Sequence, residues 1–294
     1  MALFLQFVVA GLASGFVVAL LALSVVVVYR STRVLSFAQG AIASLSTYVF
    51  YQLSTVWGWT PWISLPLALI AAAVIGALAE IAAMRPLRKA DALTRTVATL
   101  GLVLVLQVIM RTIWGGSETF VRRLSDRTLG AGNFSISGQE LILAVAAISA
   151  TALLISWNNR AYTGLGLAAM AEDPTAARLL GVDPSRASTL AWSIAAVLAA
   201  LAGILVTPLL VLNPFQMTLI MVTSFGAALL GGFTSVPLAV AGALLIGVTQ
   251  SVMTGYVNVS GVSEAFGFIA VFLVLMLTRG RRGSPIAGRE ASAW

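Results

Sequence analysis

Four residues near the start of the chain have types and spacing that could bind a polar solute. They are Ser36, Gln39, Gly40 and Ser44, which share one face of a helix by spacings of three, four and eight positions. If the surrounding apolar stretch lies in a membrane, polar side chains on this face should point into the protein or into a water-filled cavity. We therefore predict that this face lines a solute pathway. Close helix packing is the alternative, because small residues commonly let membrane helices approach each other.

A second candidate region lies near residue 230, where glycines interrupt another apolar stretch. Gly231, Gly232 and Thr234 would open the chain there, and we predict that they belong to the same solute pathway. Packing is again the alternative for the individual glycines.

A third candidate is the loop 164–188 in the middle of the chain, which carries the signals of a short helix. Asp173 can cap a helix whose first residue is Pro174, and Gly181 suits the left-handed position that ends it. The Asp-Pro pair at 183–184 repeats the start signal for the next helix. The seven residues 174–180 cannot form a stable helix alone, so we predict that this helix docks against another protein.

The residue types that carry most covalent chemistry are missing. Cysteine and histidine are both absent, which removes thiolate nucleophiles, disulfides, the commonest metal ligand and the usual proton shuttle. The only lysine is Lys89, and no GxxxxGK[ST] phosphate-binding loop occurs. We therefore predict no catalytic residue, no metal site and no cofactor in this chain. Any energy for pumping would come from another subunit.

The composition indicates which class of protein positions these groups. Of the 294 residues, 60% are hydrophobic and 9% are charged, and the mean hydropathy is +1.01. A soluble domain has about 25% charged residues. Long apolar runs without strand-like alternation indicate helices in lipid, since only helices and closed barrels satisfy the backbone there. We predict an all-α polytopic membrane protein with eight to nine transmembrane helices, some of them interrupted, in a single domain over residues 1–294.

Nine apolar segments emerge from the pattern, and the charges between them indicate their orientation. The segments span residues 5–29, 35–53, 61–84, 96–114, 138–157, 187–212, 217–231, 235–255 and 263–278. Most of the 17 basic residues fall in connections on one side, which should be the cytoplasm. The amino terminus is then outside, the carboxyl terminus is inside, and the loop 160–186 is cytoplasmic. The net charge of +7 therefore reflects topology and does not indicate nucleic-acid binding.

The two halves of the chain share an internal similarity. Segments that start at 5, 35 and 61 correspond to those that start at 187, 217 and 235, with the opposite direction across the membrane. The pair Ser36-Phe37 recurs as Ser224-Phe225. These features favour an inverted repeat, which is typical of transporters; nine unrelated helices are the alternative.

Three stretches of the sequence resemble the motifs of a known family. The first is Ala171-Glu172-Asp173 with Leu179-Leu180-Gly181, the second is Ser36-Phe37-Ala38-Gln39-Gly40, and the third is Leu230-Gly231-Gly232. In that order they resemble the coupling segment, the asparagine–phenylalanine–alanine–histidine–glycine element and the second broken helix of the branched-chain amino-acid (Liv-type) ABC transporter permeases. Serine and glutamine depart from the second motif, and Thr175 replaces the glutamate of the wider importer pattern.

The resemblance implies a permease subunit of an ATP-binding-cassette importer in the bacterial cytoplasmic (inner) membrane, which carries branched-chain amino acids or related small solutes inward. The implied partners are a second homologous permease subunit, cytoplasmic ATPase subunits that bind ATP and Mg, an extracytoplasmic solute-binding protein, and membrane lipid. The chain itself would perform no covalent step. The residues expected to couple to the ATPase are Glu172, Asp173, Ala176, Ala177, Arg178, Leu180 and Gly181.

Other functions remain open from the sequence. An ion-coupled secondary transporter fits the inverted halves but needs an embedded carboxylate or cation site, and Glu80, Glu140 and Glu264 lie near segment ends, where structural roles are expected. An ABC permease for urea or short amides is a further alternative. A channel or a purely structural membrane subunit would need no docked ATPase, so docking of the 174–180 helix discriminates between these functions.

Overall fold

The computed structural model describes residues 2–116, 118–121, 123–125, 128–131, 134–172, 177, 181–256 and 276. Its longer helices are α1 (Ala2–Thr32), α2 (Ala38–Tyr51), α3 (Pro61–Ala79), α4 (Ala92–Trp114), α5 (Gly138–Arg160), α6 (Tyr162–Glu172), α7 (Pro184–Val206), α8 (Gln216–Leu230) and α9 (Val236–Tyr256). One short antiparallel hairpin pairs β1 (Thr128–Ala131) with β2 (Phe134–Ser137). The predicted class, an all-α polytopic membrane protein, is confirmed.

Six of the described helices, α1, α3, α4, α5, α7 and α9, are long and apolar enough to cross a membrane. The predicted segments 35–53 and 217–231 form two helices that are shorter than these six. They are α2, with 14 residues and a π-helical continuation over Gln52–Val56, and α8, with 15 residues. The last predicted segment, 263–278, lies outside the described residues except for Met276.

Helix α2 forms the centre of the bundle. Its residues from Ala38 to Tyr48 are all buried, and it packs against α3, α4, α7 and α8. Small side chains make this enclosure possible, because they let neighbouring backbones approach closely. On α7, for example, a Cβ at Gly203 would lie 2.5 Å from the Thr47 hydroxyl oxygen and 2.9 Å from the Ala43 carbonyl oxygen. Helices α3, α4 and α5 lie further out and expose large apolar side chains, as expected of surfaces in contact with lipid.

Two further glycine contacts join helices that are distant in sequence. Gly247 on α9 lies against α1, where its missing Cβ would be 2.5 Å from the Gly15 Cα and 2.6 Å from the Gly11 carbonyl oxygen. Gly76 on α3 lies against α7 in the same way, with the missing Cβ 2.5 Å from the Trp192 carbonyl oxygen. The absence of a side chain at these positions therefore sets the distance between the paired helices.

The contacts between helices agree with the predicted inverted repeat of the two halves. Helix α1 packs against α7, α8 and α9, and its counterpart α7 packs against α1, α2 and α3. Helix α2 packs against α3 as α8 packs against α9, and α2 also contacts α8. The rings of Phe37 and Phe225, from the two Ser-Phe pairs, have centroids 4.6 Å apart. Nine unrelated helices would not be expected to pair in this way, so the contacts support the inverted repeat.

The two ends of the bundle differ in composition. One, named here the basic end, carries Arg30, Arg33, Arg85, Arg88, Lys89, Arg95, Arg160 and Arg186. Contacts such as Arg95 Nη1 to the Thr32 carbonyl oxygen at 3.1 Å hold neighbouring helices together there. The opposite one, named the aromatic end, carries Trp57, Trp59, Trp62 and Trp114. Tryptophan side chains are enriched at membrane–water interfaces, so both ends fit the surfaces of a membrane-spanning bundle.

Side-chain caps explain where several helices begin. Asp91 caps α4 by accepting a hydrogen bond from the Thr94 backbone N–H. Hydrogen bonds from the Thr94 hydroxyl, and secondly from its N–H, hold the pKa of Asp91 below its ordinary value. At the start of α5, Ser137 and Glu140 form a capping box. Each cap provides a partner for a backbone N–H that the helix itself leaves unpaired.

Candidate functional site

The predicted polar face of α2 contains buried groups without hydrogen-bond partners. Both amide atoms of Gln39 and the hydroxyl of Ser44 lie in the interior and have no partner in the described structure. On the same helix, Ser46 and Thr47 instead donate to the Ile42 and Ala43 carbonyl oxygens at 2.7 and 2.8 Å, whereas the hydroxyl of Tyr48, like Gln39 and Ser44, has no partner. Leaving a buried polar group unpaired costs about 1–3 kcal/mol. Gln39 and Ser44 therefore differ from ordinary buried polar residues in this helix.

Ser36 shares the same property but not the helix. It lies in the non-helical segment before α2, where the Phe37 N–H donates to the Thr99 hydroxyl at 3.1 Å. Ser36 therefore does not lie on the predicted helical face with Gln39 and Ser44. Its hydroxyl is nevertheless buried and without a partner in the described structure. Gln39, Ser44 and Ser36 thus form a set of interior hydrogen-bonding groups, and their role in a solute pathway stays a prediction.

Gly40 has a different environment from its polar neighbours. A Cβ at this position would lie 2.9 Å from the Met217 carbonyl oxygen and 2.9 Å from the Thr218 Cα. The backbones of α2 and α8 are therefore in direct contact beside Gly40. This geometry is the close helix packing given as the alternative for Gly40, and its role in the solute pathway stays a prediction. It leaves the unpaired amide of Gln39 unexplained.

Gln139 provides a comparison for Gln39, because both glutamines are fully buried. The Gln139 side-chain oxygen accepts from the Leu124 N–H at 3.1 Å, and its nitrogen donates to the Leu205 carbonyl oxygen at 2.8 Å. It joins α5 to the end of α7 and to the loop after α4. No local sequence pattern marks Gln139, because its partners Leu124 and Leu205 are far apart in the chain.

We expect Gln39→Leu and Gln139→Leu to change stability in opposite directions. Leucine at position 39 removes an unpaired amide, so the free energy of unfolding should stay the same or rise by about 1–2 kcal/mol. Leucine at position 139 leaves two buried backbone groups unpaired, and the free energy of unfolding should fall by about 2 kcal/mol or more. Thermal unfolding of the purified chain in detergent measures both. A loss of stability in Gln39→Leu equal to that in Gln139→Leu would contradict the distinction.

The second part of the predicted pathway forms the turn between α8 and α9 at the basic end. Gly231 is buried and packs against Ala239, whereas Gly232, with φ +61°, and Thr234 are exposed. The neighbouring Phe233 ring lies 5.1 Å from that of Tyr29 between centroids. These residues therefore lie in an exposed turn, whereas Gln39 and Ser44 lie in the interior. Their assignment to the pathway stays a prediction.

The described part of the predicted coupling segment has the expected end. Gly181 is exposed with φ +85°, and the Val182 N–H donates to the Ala177 carbonyl oxygen at 3.1 Å. This pair of features is the Schellman ending of a helix, which confirms the predicted left-handed conformation of Gly181. Ala177 is helical and buried. Asp183 caps α7 as predicted, accepting from the Ser185 N–H at 2.8 Å.

The remaining coupling residues are placed as follows. Glu172 is the last residue of α6. Asp173, Ala176, Arg178 and Leu180 lie outside the described residues. The structure therefore describes the end of the coupling helix at Gly181, whereas its predicted start at Asp173 and Pro174 lies outside the described residues. The role of these residues in coupling stays a prediction.

A cavity of about 740 Å³ lies at the aromatic end between α1, α5, α7, α8 and α9. Apolar side chains such as Val17 and Leu143 form most of its wall, and Glu140, Gln216 and Gln250 add polar groups. None of the predicted pathway residues lines it. The sequence does not predict this cavity, because five helices contribute to it and no local pattern marks their shared face.

Comparison with known proteins identifies the family. Residues 7–278 match the family described as the branched-chain amino acid transport system / permease component. The chain belongs to this family. No solved structure matches it.

Curated relatives of this permease cover most of its length. It is 29% identical over 261 residues to the probable branched-chain amino acid transport permease protein LivH of Methanocaldococcus jannaschii, covering 84% of this chain and 79% of the relative. It is 27% identical to the high-affinity branched-chain amino acid transport system permease protein LivH of Salmonella typhimurium, covering 96% of both. It is 28% identical to the permease protein BraD of Pseudomonas aeruginosa, covering 84% of this chain and 85% of the relative.

Glu80 is the one fully buried carboxylate among the side chains of the permease that the structure describes. It accepts hydrogen bonds from Arg85 Nη2 at 3.1 Å, from Arg88 Nη2, and from the Thr189 hydroxyl at 2.8 Å. Such pairing is the structural role expected of a carboxylate near a helix end. In the same described part, no group of three or more His, Cys, Asp or Glu side chains could hold a metal ion.

Proposed function

We propose that the chain is the membrane-spanning subunit of an ATP-binding-cassette importer that carries branched-chain amino acids or related small solutes inward. The observation that carries the proposal is the family match over residues 7–278. The names of the LivH and BraD relatives give the solute class. The chain has the helices to form a transmembrane route and lacks a phosphate-binding loop, so the energy comes from partner subunits.

The proposed assembly has the basic end in the cytoplasm of a bacterial inner membrane. The excess of arginine at this end supports that orientation, because cytoplasmic loops of membrane proteins are enriched in Lys and Arg. The amino terminus is then outside and the carboxyl terminus inside. ATPase subunits, which bind ATP and Mg, dock on the segment that ends at the exposed Gly181. A second homologous permease subunit completes the membrane part, and an extracytoplasmic binding protein delivers the solute.

The cavity at the aromatic end is the proposed entry for the solute. In this orientation it faces the outside, and its largely apolar wall suits an aliphatic side chain. Polar groups such as Gln216 and Gln250 can bind the polar part of an amino acid. The unpaired side chain of Gln39 is a candidate partner further along the route.

Reconstitution tests this function. The permease is inserted into liposomes with its ATPase and partner permease subunits, and candidate binding proteins are added with or without solute. We expect a binding protein loaded with a branched-chain amino acid to stimulate ATP hydrolysis several-fold and to drive uptake. Uptake that follows an ion gradient in the absence of ATP would identify a secondary transporter instead. Stimulation only by a urea- or amide-loaded binding protein would correct the solute class.

A further inference from the structure

A second cavity, of about 290 Å³, lies at the basic end between α1, α3, α4, α6 and α7. Its charged wall consists of Arg33, Arg88, Arg95 and Glu80. Three guanidinium groups and one carboxylate therefore line the same small cavity. None of the predicted pathway residues lines this cavity.

The carboxylate in this cavity is already neutralised. Glu80 pairs with Arg88, which lines the cavity, and with Arg85, which lies beside it. The Thr189 hydroxyl donates a further hydrogen bond to the same carboxylate at 2.8 Å. The single negative charge of Glu80 is therefore already balanced, and it does not neutralise the two remaining arginines of the cavity.

Those two arginines, Arg33 and Arg95, keep unused hydrogen-bond donors. Arg95 donates from Nη1 to the Thr32 carbonyl oxygen at 3.1 Å, but its Nε is buried without a partner. The Arg33 guanidinium lies 5.9 Å from the centroid of the Tyr29 ring, and this side chain makes no hydrogen bond or ion pair with the described residues, although the Arg33 backbone N–H donates to the Tyr29 carbonyl oxygen. A guanidinium group presents five donors and always carries its charge. The cavity therefore has excess positive charge and free donors, which is the chemistry of an anion site.

The depth of the cavity matches the headgroup layer of a membrane. The span Pro61–Met84 has 24 residues. Such a span is about 36 Å long, whereas the hydrocarbon core is about 30 Å thick, so the last turn reaches the headgroups. Glu80 lies in this last part of the span. Next to it, Ile81 on the same turn and Leu93 and Val97 on α4 expose apolar side chains to the surroundings.

We propose that this cavity binds the phosphate headgroup of an anionic phospholipid, with Arg33 and Arg95 as its principal partners. The acyl chains would follow the exposed apolar surface of α3 and α4. That surface favours a lipid over an acidic segment of a partner protein, which would gain nothing from it. Basic cavities between membrane helices are suited to lipid phosphates. Met170 and Pro184, which flank the coupling segment, also line the cavity, so a bound lipid would contact the base of that segment.

The test measures lipid retention by the purified full-length chain in detergent, using native mass spectrometry. The probes are phosphatidylglycerol, phosphatidylcholine and inorganic phosphate. We expect the unmodified chain to retain phosphatidylglycerol preferentially, and the preference to fall as salt is raised. The double variant Arg33→Gln/Arg95→Gln should bind phosphatidylglycerol on the order of 30-fold more weakly, as expected for the loss of two cationic side chains near the membrane surface.

Matched variants control for charge and folding. Arg160→Gln/Arg186→Gln removes two charges from the same end but outside the cavity, and it should leave the preference unchanged. Arg33→Lys/Arg95→Lys keeps both charges and should retain most of the preference for phosphatidylglycerol.

Three outcomes would overturn the proposal. The first is equal retention of the two lipids, or an unchanged preference in Arg33→Gln/Arg95→Gln. The second is thermal stabilisation by inorganic phosphate equal to that by phosphatidylglycerol, which would identify a free anion as the ligand. The third is a double variant that keeps its lipid preference but no longer assembles with ATPase subunits, which would identify an acidic protein segment. The lipid measurement does not depend on the transport function, so the two proposals fail separately.

Discussion

Replacing Gly247 with valine is expected to lower the free energy of unfolding of the bundle by about 3 kcal/mol, the upper part of the range for overpacking. A Cβ at Gly247 would lie 2.5 Å from the Gly15 Cα and 2.6 Å from the Gly11 carbonyl oxygen. Backbone atoms cannot rotate aside as a side chain can, so α1 and α9 would have to separate. Thermal unfolding of the purified chain in detergent, followed by circular dichroism, measures the loss.

Gly101→Val is the matched control for this change. Gly101 lies on α4, in an equally apolar helix, and no heavy atom lies within 4 Å of its missing Cβ. The two substitutions have the same effect on helix propensity, so their difference isolates the contact between α1 and α9. We expect Gly101→Val to be close to neutral. An equal loss of stability in both variants would show that the contact between α1 and α9 is not the cause of the destabilisation.

The second large effect is expected for transport. Gly181→Val should reduce ATP-dependent uptake about 10-fold or more, because the left-handed conformation costs an L-residue roughly 1–2 kcal/mol and suits a β-branched one least. Gly181 has φ +85° and nothing lies within 4 Å of its missing Cβ, so the backbone conformation alone produces the effect. The variant should still insert into the membrane. Uptake of labelled solute into proteoliposomes that contain the full assembly measures the change.

Gly181→Asn separates backbone conformation from side-chain size. Asparagine tolerates the left-handed region much better than valine, although both fill similar space. We therefore expect uptake in Gly181→Asn to remain close to that of the unmodified permease. Normal uptake in Gly181→Val would show that this helix end has no role in coupling. Equal losses in both variants would assign the effect to the surface of the partner and not to the conformation of Gly181.

The parts of the fold that the sequence predicted are those with local causes. Lipid requires long apolar helices, so the membrane-spanning segments could be read from hydropathy. The Asp183 cap and the left-handed Gly181 depend on residues within a single turn, and both were predicted correctly. The inverted repeat was also predicted from the sequence, because the order of long and short apolar segments recurs in the second half of the chain.

The parts that the sequence did not predict depend on distant partners. Gln39 and Gln139 are the same residue type in apolar helices, yet only Gln139 is paired, and its partner Leu205 lies 66 positions away. The cavities at both ends are formed by five helices each, so no local pattern marks them. The packing of Gly40 against α8 also requires knowledge of which helix lies opposite.

The contact between α1 and α9 has a consequence for biosynthesis. The Ser251 hydroxyl donates to the Phe7 carbonyl oxygen across 244 residues, and α1 is the most buried of the six long helices. A ribosome needs on the order of tens of seconds to synthesise such a stretch. During that time α1 sits in lipid or beside the insertion machinery without the neighbour against which its glycines pack. The most buried of the six long helices is therefore inserted first and meets its partner α9 only near the end of synthesis.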